Sequence, residues 1–409
     1  MTAIVAFRAV DTRSRDKRVD PMEGRTMIHR NCAVPSAFFL AMSLLLSGCG
    51  PSTPRPAEKG RGGGPVPVPW GIRVSAAAFS PDNRLLALGC EAGGGMGQGV
   101  GTYPAGGKVI KLWDLESGKR LGWLEGHKHG VTSVVFLPDS RRLLSASRDG
   151  TLKLWDVRSH RLVRTIDSGQ EFINCVAVSH DGTKALSGRP PGGPKLWDLE
   201  SGKLIRTFDA APTDEAPLSL SFSRDGMRVL LAGGGLAVVG TSIRVLGING
   251  GKILSLGGKG GWIGPAAISP DGRQVAAVRR RGARPEDWRY PIGVLDLETG
   301  KVVRELEKPR FQASLVAFTP DGKRLVCGGT RYESPHSNGG IFLWDLASGK
   351  EIGDTPDMEG YVPLAFSSDT TLAVSMDPRL DFKIWDTGQG RCLRTITGSP
   401  KGLDAKYWP

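Results

Sequence analysis

The stretch VIKLWDLESGK, residues 109–119, contains the pattern that is repeated along this chain. A short apolar run ends in Trp113-Asp114, and a polar turn with Gly and Lys follows it. The same pair closes four later apolar runs, at Trp155-Asp156, Trp197-Asp198, Trp344-Asp345 and Trp385-Asp386. Two weaker copies, Leu246-Gly247 and Leu295-Asp296, lie between the third and the fourth of these pairs. The steps between the seven marks are 42, 42, 49, 49, 49 and 41 residues.

A second turn pattern runs in phase with the first. It combines Pro, which presets φ, Asp, which bonds its own backbone, and Gly, which accepts positive φ. Its copies are Ser80-Pro81-Asp82-Asn83, Leu137-Pro138-Asp139-Ser140, Ser179-His180-Asp181-Gly182, Ser223-Arg224-Asp225-Gly226, Ser269-Pro270-Asp271-Gly272, Thr319-Pro320-Asp321-Gly322 and Ser367-Ser368-Asp369-Thr370. Each unit therefore predicts four short strands. A repeat of this length with four strands predicts an all-β fold, a seven-bladed β-propeller of four-stranded antiparallel blades.

This pattern resembles the WD40-repeat family over roughly residues 72–398. The second unit matches it best, with Gly126-His127, Ser145 or Ser147, Asp149-Gly150 and Trp155-Asp156 in the family's order. The resemblance implies that the His, one Ser, the Asp and the Trp form a structural hydrogen-bonded set within that blade. The other units lack Gly-His, and most lack Asp-Gly, so the resemblance implies the complete set for the second unit only.

The two ends of the repeat region predict how the ring closes. Residues 391–398, RCLRTITG, are interpreted as the outer strand of the last unit itself. The segment before Ile72 reads PVPVPW, and Pro cannot donate to a sheet ladder, so this segment is a poor closing strand. We therefore expect closure by side-chain packing between blades seven and one.

The first 71 residues have a different composition. Residues 1–48 read as an N-terminal extension and signal peptide, because Arg25, His29 and Arg30 precede an apolar stretch (34–49) shorter than the ~20 residues that span a bilayer. Its end, LSGC, resembles the bacterial lipobox, which implies lipidation of Cys49; an uncleaved anchor or a chance apolar run are the alternatives. Residues 49–71 predict a flexible Pro/Gly-rich tether, 72–398 the propeller and 399–409 a C-terminal tail. We expect a lipid-anchored protein of the cell envelope, on the periplasmic or extracytoplasmic side of a bacterial membrane.

Charge and cysteines restrict the partners. The net charge is +13, and residues 1–48 contribute seven cations and four acids, which leaves 13 − 3 = +10 for the rest. Outside the cytoplasm this charge favours anionic lipid, polysaccharide or an acidic protein over nucleic acid, and we expect a monomer.

No cysteine has metal-ligand spacing. A Cys90–Cys392 disulfide across the closure is conceivable, but buried free thiols at Cys90, Cys175, Cys327 and Cys392 are favoured.

Three long inserts fall between the second and third strands of units one, five and six, at one end of the predicted ring. The first, residues 91–107, is glycine-rich. The other two contain arginines and aromatic side chains, the types that dominate interface hot spots. The candidate partner-binding residues are Arg279, Arg280, Arg281, Arg284, Trp288, Arg289 and Tyr290 in unit five and Arg331, Tyr332 and His336 in unit six. A solvated basic loop whose Trp covers the blade edge is the alternative.

Enzyme motifs are lacking, since the sequence contains no HExxH or GxSxG, and GTYPAGGK departs from a phosphate-binding loop. We predict no catalytic residue, cofactor or metal. The expected function is a non-catalytic protein–protein interaction platform, membrane-tethered, that presents a loop-rich face to envelope partners. The alternative is a propeller enzyme, resembling lactonase-type hydrolases, or a small-ligand binder. Either would use the central channel, which the predicted inner strands line mostly with Ala, Ser, Val and Phe.

Overall fold

A computed structural model describes residues 72–92, 108–189, 193–209, 216–234, 243–256, 262–279, 281, 289–308, 310–333, 336–355, 358, 361–377 and 381–396. Within these residues, 28 strands form seven four-stranded antiparallel sheets, each built from strands that are consecutive in the chain. The prediction of a seven-bladed propeller is confirmed. The predicted signal peptide, Cys49, the tether, the C-terminal tail and nearly all of the unit-one insert lie outside the described residues.

Blades one to four follow one another along the chain. Blade one consists of β1 (Ile72–Phe79), β2 (Leu85–Ala92), β3 (Ile110–Asp114) and β4 (Arg120–Leu124). Blade two consists of β5 (Val131–Phe136), β6 (Arg142–Ser147), β7 (Thr151–Asp156) and β8 (Arg161–Asp167). Blade three consists of β9 (Cys175–Val178), β10 (Lys184–Gly188), β11 (Lys195–Asp198) and β12 (Leu204–Thr207). Blade four consists of β13 (Ala216–Phe222), β14 (Arg228–Gly234), β15 (Ile243–Gly247) and β16 (Lys252–Leu256).

The last three blades include the two longest strands of the set. Blade five consists of β17 (Trp262–Ile268), β18 (Gln274–Arg279), β19 (Ile292–Asp296) and β20 (Val302–Leu306). Blade six consists of β21 (Phe311–Phe318), β22 (Arg324–Glu333), β23 (His336–Asp345) and β24 (Glu351–Asp354). Blade seven consists of β25 (Val362–Phe366), β26 (Leu372–Met376), β27 (Phe382–Asp386) and β28 (Arg391–Ile396). The two weak copies of the Trp-Asp mark end β15 and β19, the third strands of their blades, as predicted.

The first strands of neighbouring blades contact one another around the ring, and β25 contacts β1. Blades seven and one share one apolar cluster, in which Trp113 packs edge-on against Phe382 with ring centroids 5.0 Å apart. Asn83 Nδ2 also donates to Asp369 Oδ2 at 2.7 Å. Since β28 completes blade seven from its own C-terminal sequence, the predicted closure by side-chain packing is confirmed.

Both turn patterns are fixed by an aspartate that bonds its own loop. In the first turn Asp181 Oδ1 accepts the Thr183 N–H at 2.9 Å and the Ser179 hydroxyl, and the hydroxyl bond holds the pKa of Asp181 down to about 2. In the second turn Asp114 Oδ1 accepts both the backbone N–H and the hydroxyl of Ser117. The Asp of each Trp-Asp pair therefore shapes the turn that leads into the outer strand.

The outer strands differ from the inner ones in burial. β7 buries four of its six residues, whereas β8 exposes most of its length. An arginine of the outer strand reaches the second turn of the following blade at three junctions: Arg164 Nη1 donates to Ser201 O (3.1 Å), Arg304 Nη2 to Ala347 O (2.9 Å) and Arg394 Nη2 to Glu116 O (2.7 Å). The last of these bonds spans the closure of the ring. No helix among the described residues is long and apolar enough to cross a membrane.

The described cysteines form no disulfide, so the Cys90–Cys392 bond is not present. Cys90, Cys175 and Cys327 are buried as predicted, but the prediction of burial is wrong for Cys392, which lies exposed on β28. Strand β28 is an outermost strand, and its side chains have no further blade layer over them. Burial raises the pKa of Cys90, and raises the pKa values of Cys175 and Cys327 to about 12.

This difference predicts the order of thiol labelling. In a short maleimide pulse on the folded chain, peptide mapping should find Cys392 modified and Cys90, Cys175 and Cys327 protected, because the thiolate is the reactive form and burial suppresses it. Cys392→Ser should remove that label and leave the other three peptides unlabelled until denaturant is added. Labelling of Cys90 as fast as Cys392 in native buffer would contradict the packing described here.

Candidate interaction surface

The hydrogen-bonded set of blade two is complete. His127 Nδ1 lies 2.9 Å from Asp149 Oδ2, His127 Nε2 lies 2.7 Å from Ser145 Oγ, and Trp155 Nε1 donates to Ser145 Oγ at 2.8 Å. An indole N–H only donates and a carboxylate only accepts, so the bonds run from Trp155 through Ser145 and neutral His127 to Asp149. Of the two candidate serines, Ser145 is the member of the set, and Ser147 donates to backbone carbonyls instead.

The set is charged at one end only. Burial lowers the pKa of His127, and the hydrogen bond and charge of Asp149 only partly oppose this effect. Burial alone would raise the pKa of Asp149, but the hydrogen bonds that its carboxylate accepts from His127, Thr151 and Lys128 outweigh this effect and hold that pKa far below its usual range. Asp149 also accepts the Lys128 and Thr151 backbone N–H groups, at 2.7 and 2.9 Å. These contacts fix a loop and a strand, and the set is structural.

Other blades keep only part of this arrangement. Trp197 and Trp385 donate to Ser187 and Ser375, the serines at the matching position of their second strands, at 2.9 and 2.7 Å. Leu88 stands at that position in blade one and Cys327 in blade six. Among the described residues, the buried indole N–H of Trp113 has no hydrogen-bond partner, and that of Trp344 has only the weakly accepting sulfur of Cys327 beside it. The serine therefore determines whether the Trp of the repeat is satisfied, a relation that the Trp-Asp spacing does not show.

The insert of blade five begins as an extension of its central hairpin. Arg281 and Arg289 form an antiparallel bridge beyond β18 and β19, with N–H···O bonds of 2.9 and 3.0 Å in both directions. Arg279 ends β18, and Tyr290 is half-buried just before β19. Arg280, Arg284 and Trp288 lie outside the described residues. The described base of this insert is thus regular β-structure.

The two bridge arginines are ion-paired within their own blade. Arg281 Nη2 lies 2.7 Å from Glu305 Oε2, and Arg289 Nη1 lies 3.1 Å from Glu307 Oε1. The Arg289 side chain nevertheless remains 71% exposed, and that of Arg281 49%. Exposed pairs of this kind contribute little to stability, so both guanidinium groups can exchange these partners for another carboxylate.

Blade six carries the longest hairpin of the described structure. Its strands β22 and β23 have ten residues each and pair as far as Glu333 with His336. Tyr332 and His336 lie on this extension, and their side chains lie outside the described residues. A bridge between Gly339 and Met358 connects the hairpin to the segment that leads into blade seven.

Arg331 makes its described contacts within blade six. Its guanidinium contacts the Asp354 carboxylate, donates to Thr355 O at 2.9 Å and lies over the Phe342 ring at 4.8 Å. Only 18% of its side chain is exposed, so its contacts lie mainly within the blade. Its membership in the partner-binding set stays a prediction, as does that of the other residues proposed from the sequence.

Sequence reasoning missed the group beside Arg331. Lys308, in the connection between blades five and six, contacts both Glu351 oxygens at 2.8 and 2.9 Å and lies 4.5 Å from the centre of the Phe342 ring. Phe342 therefore lies close to two cations, and Lys308 ties the outer strand of blade six to the preceding connection. No motif marks these residues, because they meet only when β24 folds beside the loop before β21.

The strands around the channel are poor in ionisable groups. Among the described residues, the seven first strands contain no Asp, Glu or His. No group of three or more His, Cys, Asp and Glu side chains in the described ranges could hold a metal ion.

One family model and several known proteins match parts of this sequence. The family model "WD domain, G-beta repeat" matches residues 118–156, which run from the second turn of blade one to the Trp-Asp pair of blade two. The chain is 32% identical over 81 residues to "Periodic tryptophan protein 2 homolog" of Caenorhabditis elegans, and 32% identical over 79 residues to "Periodic tryptophan protein 2" of Arabidopsis thaliana. These matches cover 20% and 19% of this chain and 7% of each relative.

The structure is also similar to a chain of "Kuenenia stuttgartiensis Hydrazine Synthase", with a TM-score of 0.62 and 14% identity. The match covers 79% of this chain and 97% of that chain, and at this identity it shows the fold alone. The protein is a seven-bladed β-propeller that contains a WD-type G-beta repeat at residues 118–156.

Proposed function

We propose that this protein is a non-catalytic interaction platform, in which the propeller presents the hairpin ends of blades five and six to a protein partner. WD40 propellers are typically such platforms. The observation that carries the proposal is a pair of extended hairpins on neighbouring blades. The hairpin of blade five continues beyond β18 and β19 through the Arg281–Arg289 bridge, and the hairpin of blade six consists of the long paired strands β22 and β23.

The described parts of these hairpins suit this role because strand pairing fixes their backbone before a partner arrives. A rigid element loses less conformational entropy on binding than a loop does. Blade six is further braced at its base by Lys308, Glu351 and Arg331. The exposed Arg289 offers a guanidinium that can pair bidentately with a carboxylate on the partner, and we therefore propose an acidic contact surface on that partner.

We further propose that the propeller is held at a bacterial membrane by lipid on Cys49, with its partners in the cell envelope. The support is the sequence: basic residues, a short apolar stretch and the residues Leu46-Ser47-Gly48-Cys49. More than one acyl chain on this cysteine would give stable anchoring, and residues 50–71 would let the propeller stand off the bilayer.

The test is affinity capture from detergent-solubilised envelopes with matched pairs of variants. Arg281→Ala with Arg289→Ala changes the hairpin end of blade five, while Lys301→Ala with Lys350→Ala changes second turns at the opposite end of the ring. A protein recovered with the wild type and the Lys pair, but reduced about tenfold with the Arg pair, supports the proposed surface. Equal recovery with both pairs, or recovery of nothing specific by any form, contradicts it.

A further inference from the structure

The outer edges of blades two and three carry a surface that the hairpin proposal does not use. We call it the β8–β12 strip and define it by Arg161, Leu162, Val163, Lys203, Leu204 and Ile205. The four aliphatic side chains are 42%, 54%, 46% and 47% exposed. Single exposed aliphatics are ordinary on a protein surface, but here two neighbouring blades each expose two, at the same register of their outer strands.

The two edges are fixed relative to each other. Arg164 of β8 donates to Ser201 O at 3.1 Å, and its side chain packs beside Gly202 in the turn that leads into β12. The strip therefore has a defined shape, formed by two neighbouring blade edges. A flat surface that approaches a ring of seven blades from the side meets at most two neighbouring edges, which is the extent of this strip.

The combination of exposed aliphatic side chains with positive charge distinguishes the strip from the other described outer strands. Strands β8 and β12, with Lys203 before the latter, carry four cations, at 161, 164, 203 and 206, and one carboxylate, Asp167. Blade five exposes Val302 and Val303 to a similar degree, 42% and 51%, but there Glu305 and Glu307 balance Lys301 and Arg304. Blades seven and one also carry four cations at their outer strands, Lys119, Arg120, Arg391 and Arg394, but each exposes only one aliphatic side chain there, Leu121 or Leu393. Among the described outer strands, four exposed aliphatic side chains together with a cationic excess occur at this strip.

We propose that the β8–β12 strip docks the propeller on an anionic lipid surface. Aliphatic side chains enter the boundary between head groups and acyl chains, while Arg and Lys remain at the phosphates. The strip is a convex blade edge, so it matches a broad, chemically uniform surface better than a small ligand. The propeller would then lie on its side, with the hairpin ends of blades five and six free for a protein.

The length of the preceding segment makes this contact accessible. Residues 50–71 would span about 25 Å as a coil and about 70 Å as a polyproline II helix. A chain anchored at Cys49 therefore keeps the propeller within reach of the bilayer throughout. This step rests on the proposed lipid anchor, whereas the charge and exposure of the strip do not.

The experiment places an encoded solvatochromic fluorescent amino acid at position 205 or, as the matched control, at position 303 of the full chain. Vesicles contain phosphatidylcholine with or without phosphatidylglycerol, plus a spin-labelled lipid that quenches the probe by contact. We expect a blue shift and strong quenching at 205 with phosphatidylglycerol, weak quenching without it, and weak quenching at 303 in both. Arg161→Gln and Lys203→Gln should each lower the docked-to-undocked ratio about fivefold, while Lys301→Gln and Lys350→Gln should not.

Equal quenching at 205 and 303, or quenching at 205 that ignores phosphatidylglycerol, would overturn the docking proposal. Flotation of the same samples reports the anchor separately. A chain that does not float with pure phosphatidylcholine vesicles contradicts the lipid anchor, and the comparison of the two positions with phosphatidylglycerol still decides the strip. If the Arg281→Ala and Arg289→Ala pair does not reduce recovery in affinity capture, the hairpin proposal is contradicted, but the quenching and flotation results are unaffected.

Discussion

Ser145→Ala is expected to lower the free energy of unfolding by about 2 to 4 kcal/mol, because it leaves two buried groups without their partner. Ser145 Oγ receives the Trp155 indole N–H at 2.8 Å and lies 2.7 Å from His127 Nε2. Both neighbours are almost fully buried, so water cannot replace the hydroxyl. The change is measured by urea unfolding at neutral pH.

Ser187→Ala is the matched control, since Ser187 receives only the indole bond of Trp197 and no histidine. It should cost about 1 to 2 kcal/mol, and the difference between the two variants measures what His127 adds. Equal losses for Ser145→Ala and Ser187→Ala would show that the His127 contact adds no stability.

The same set predicts how stability depends on pH. The folded pKa of Asp149 is depressed, so its contribution is complete above the unfolded pKa of about 4 and is lost as pH falls from there towards the folded value. The folded pKa of His127 is also lowered, so its contribution declines below its unfolded value of about 6.5. The free energy of unfolding should therefore decrease in two stages as the pH falls, first through His127 and then through Asp149. Ser145→Ala should alter the first stage, because Ser145 contacts His127.

Gly150→Ala is expected to cost more than about 3 kcal/mol or to prevent folding. Gly150 has φ +76°, and a Cβ there would lie 2.0 Å from the carbonyl oxygen of Gln170. The oxygen belongs to backbone, and the segment cannot move away freely because Ser168 bonds Gly150 O through both its N–H and its hydroxyl. Unfolding midpoint and soluble yield are the measurements.

Gly169→Ala provides the control for backbone conformation alone. Gly169 has φ +64° and nothing within 4 Å of the Cβ position, so the substitution should cost about 1 kcal/mol. If Gly150→Ala were no worse than Gly169→Ala, the close approach of Gln170 to Gly150 would be contradicted.

Most of the fold could be predicted from the repeat pattern, because each repeated motif reflects an interaction between residues that are close in sequence. The Asp of both turns bonds its own loop, which is why Asp114 and Asp181 could be located from sequence. Leu246 and Leu295 were recognised as weak copies of the Trp mark from their spacing and from the apolar run and Gly-Lys turn around them, and the strands formed there as predicted. Pro-rich sequence before Ile72 and the complete last unit together predicted the mode of closure.

The contacts of the candidate surface were harder to predict from the sequence, because they join residues that are far apart in the chain. The choice between Ser145 and Ser147 depended on which side chain faces Trp155 across β6 and β7. The pairing of Arg281 with Glu305 and of Arg331 with Asp354 required the positions of the outer strands. Arginine clusters in sequence therefore located the extended hairpins but did not show which charges are already paired.

The most direct test of the platform account is site-specific photocrosslinking in intact envelopes. A photoreactive amino acid at position 289 reports on the hairpin end, and one at position 348 reports on a second turn at the opposite end of the ring. The account predicts a discrete crosslinked protein from position 289 and none from position 348. A discrete product from 348 but none from 289 would contradict the central claim that partners bind the hairpin end.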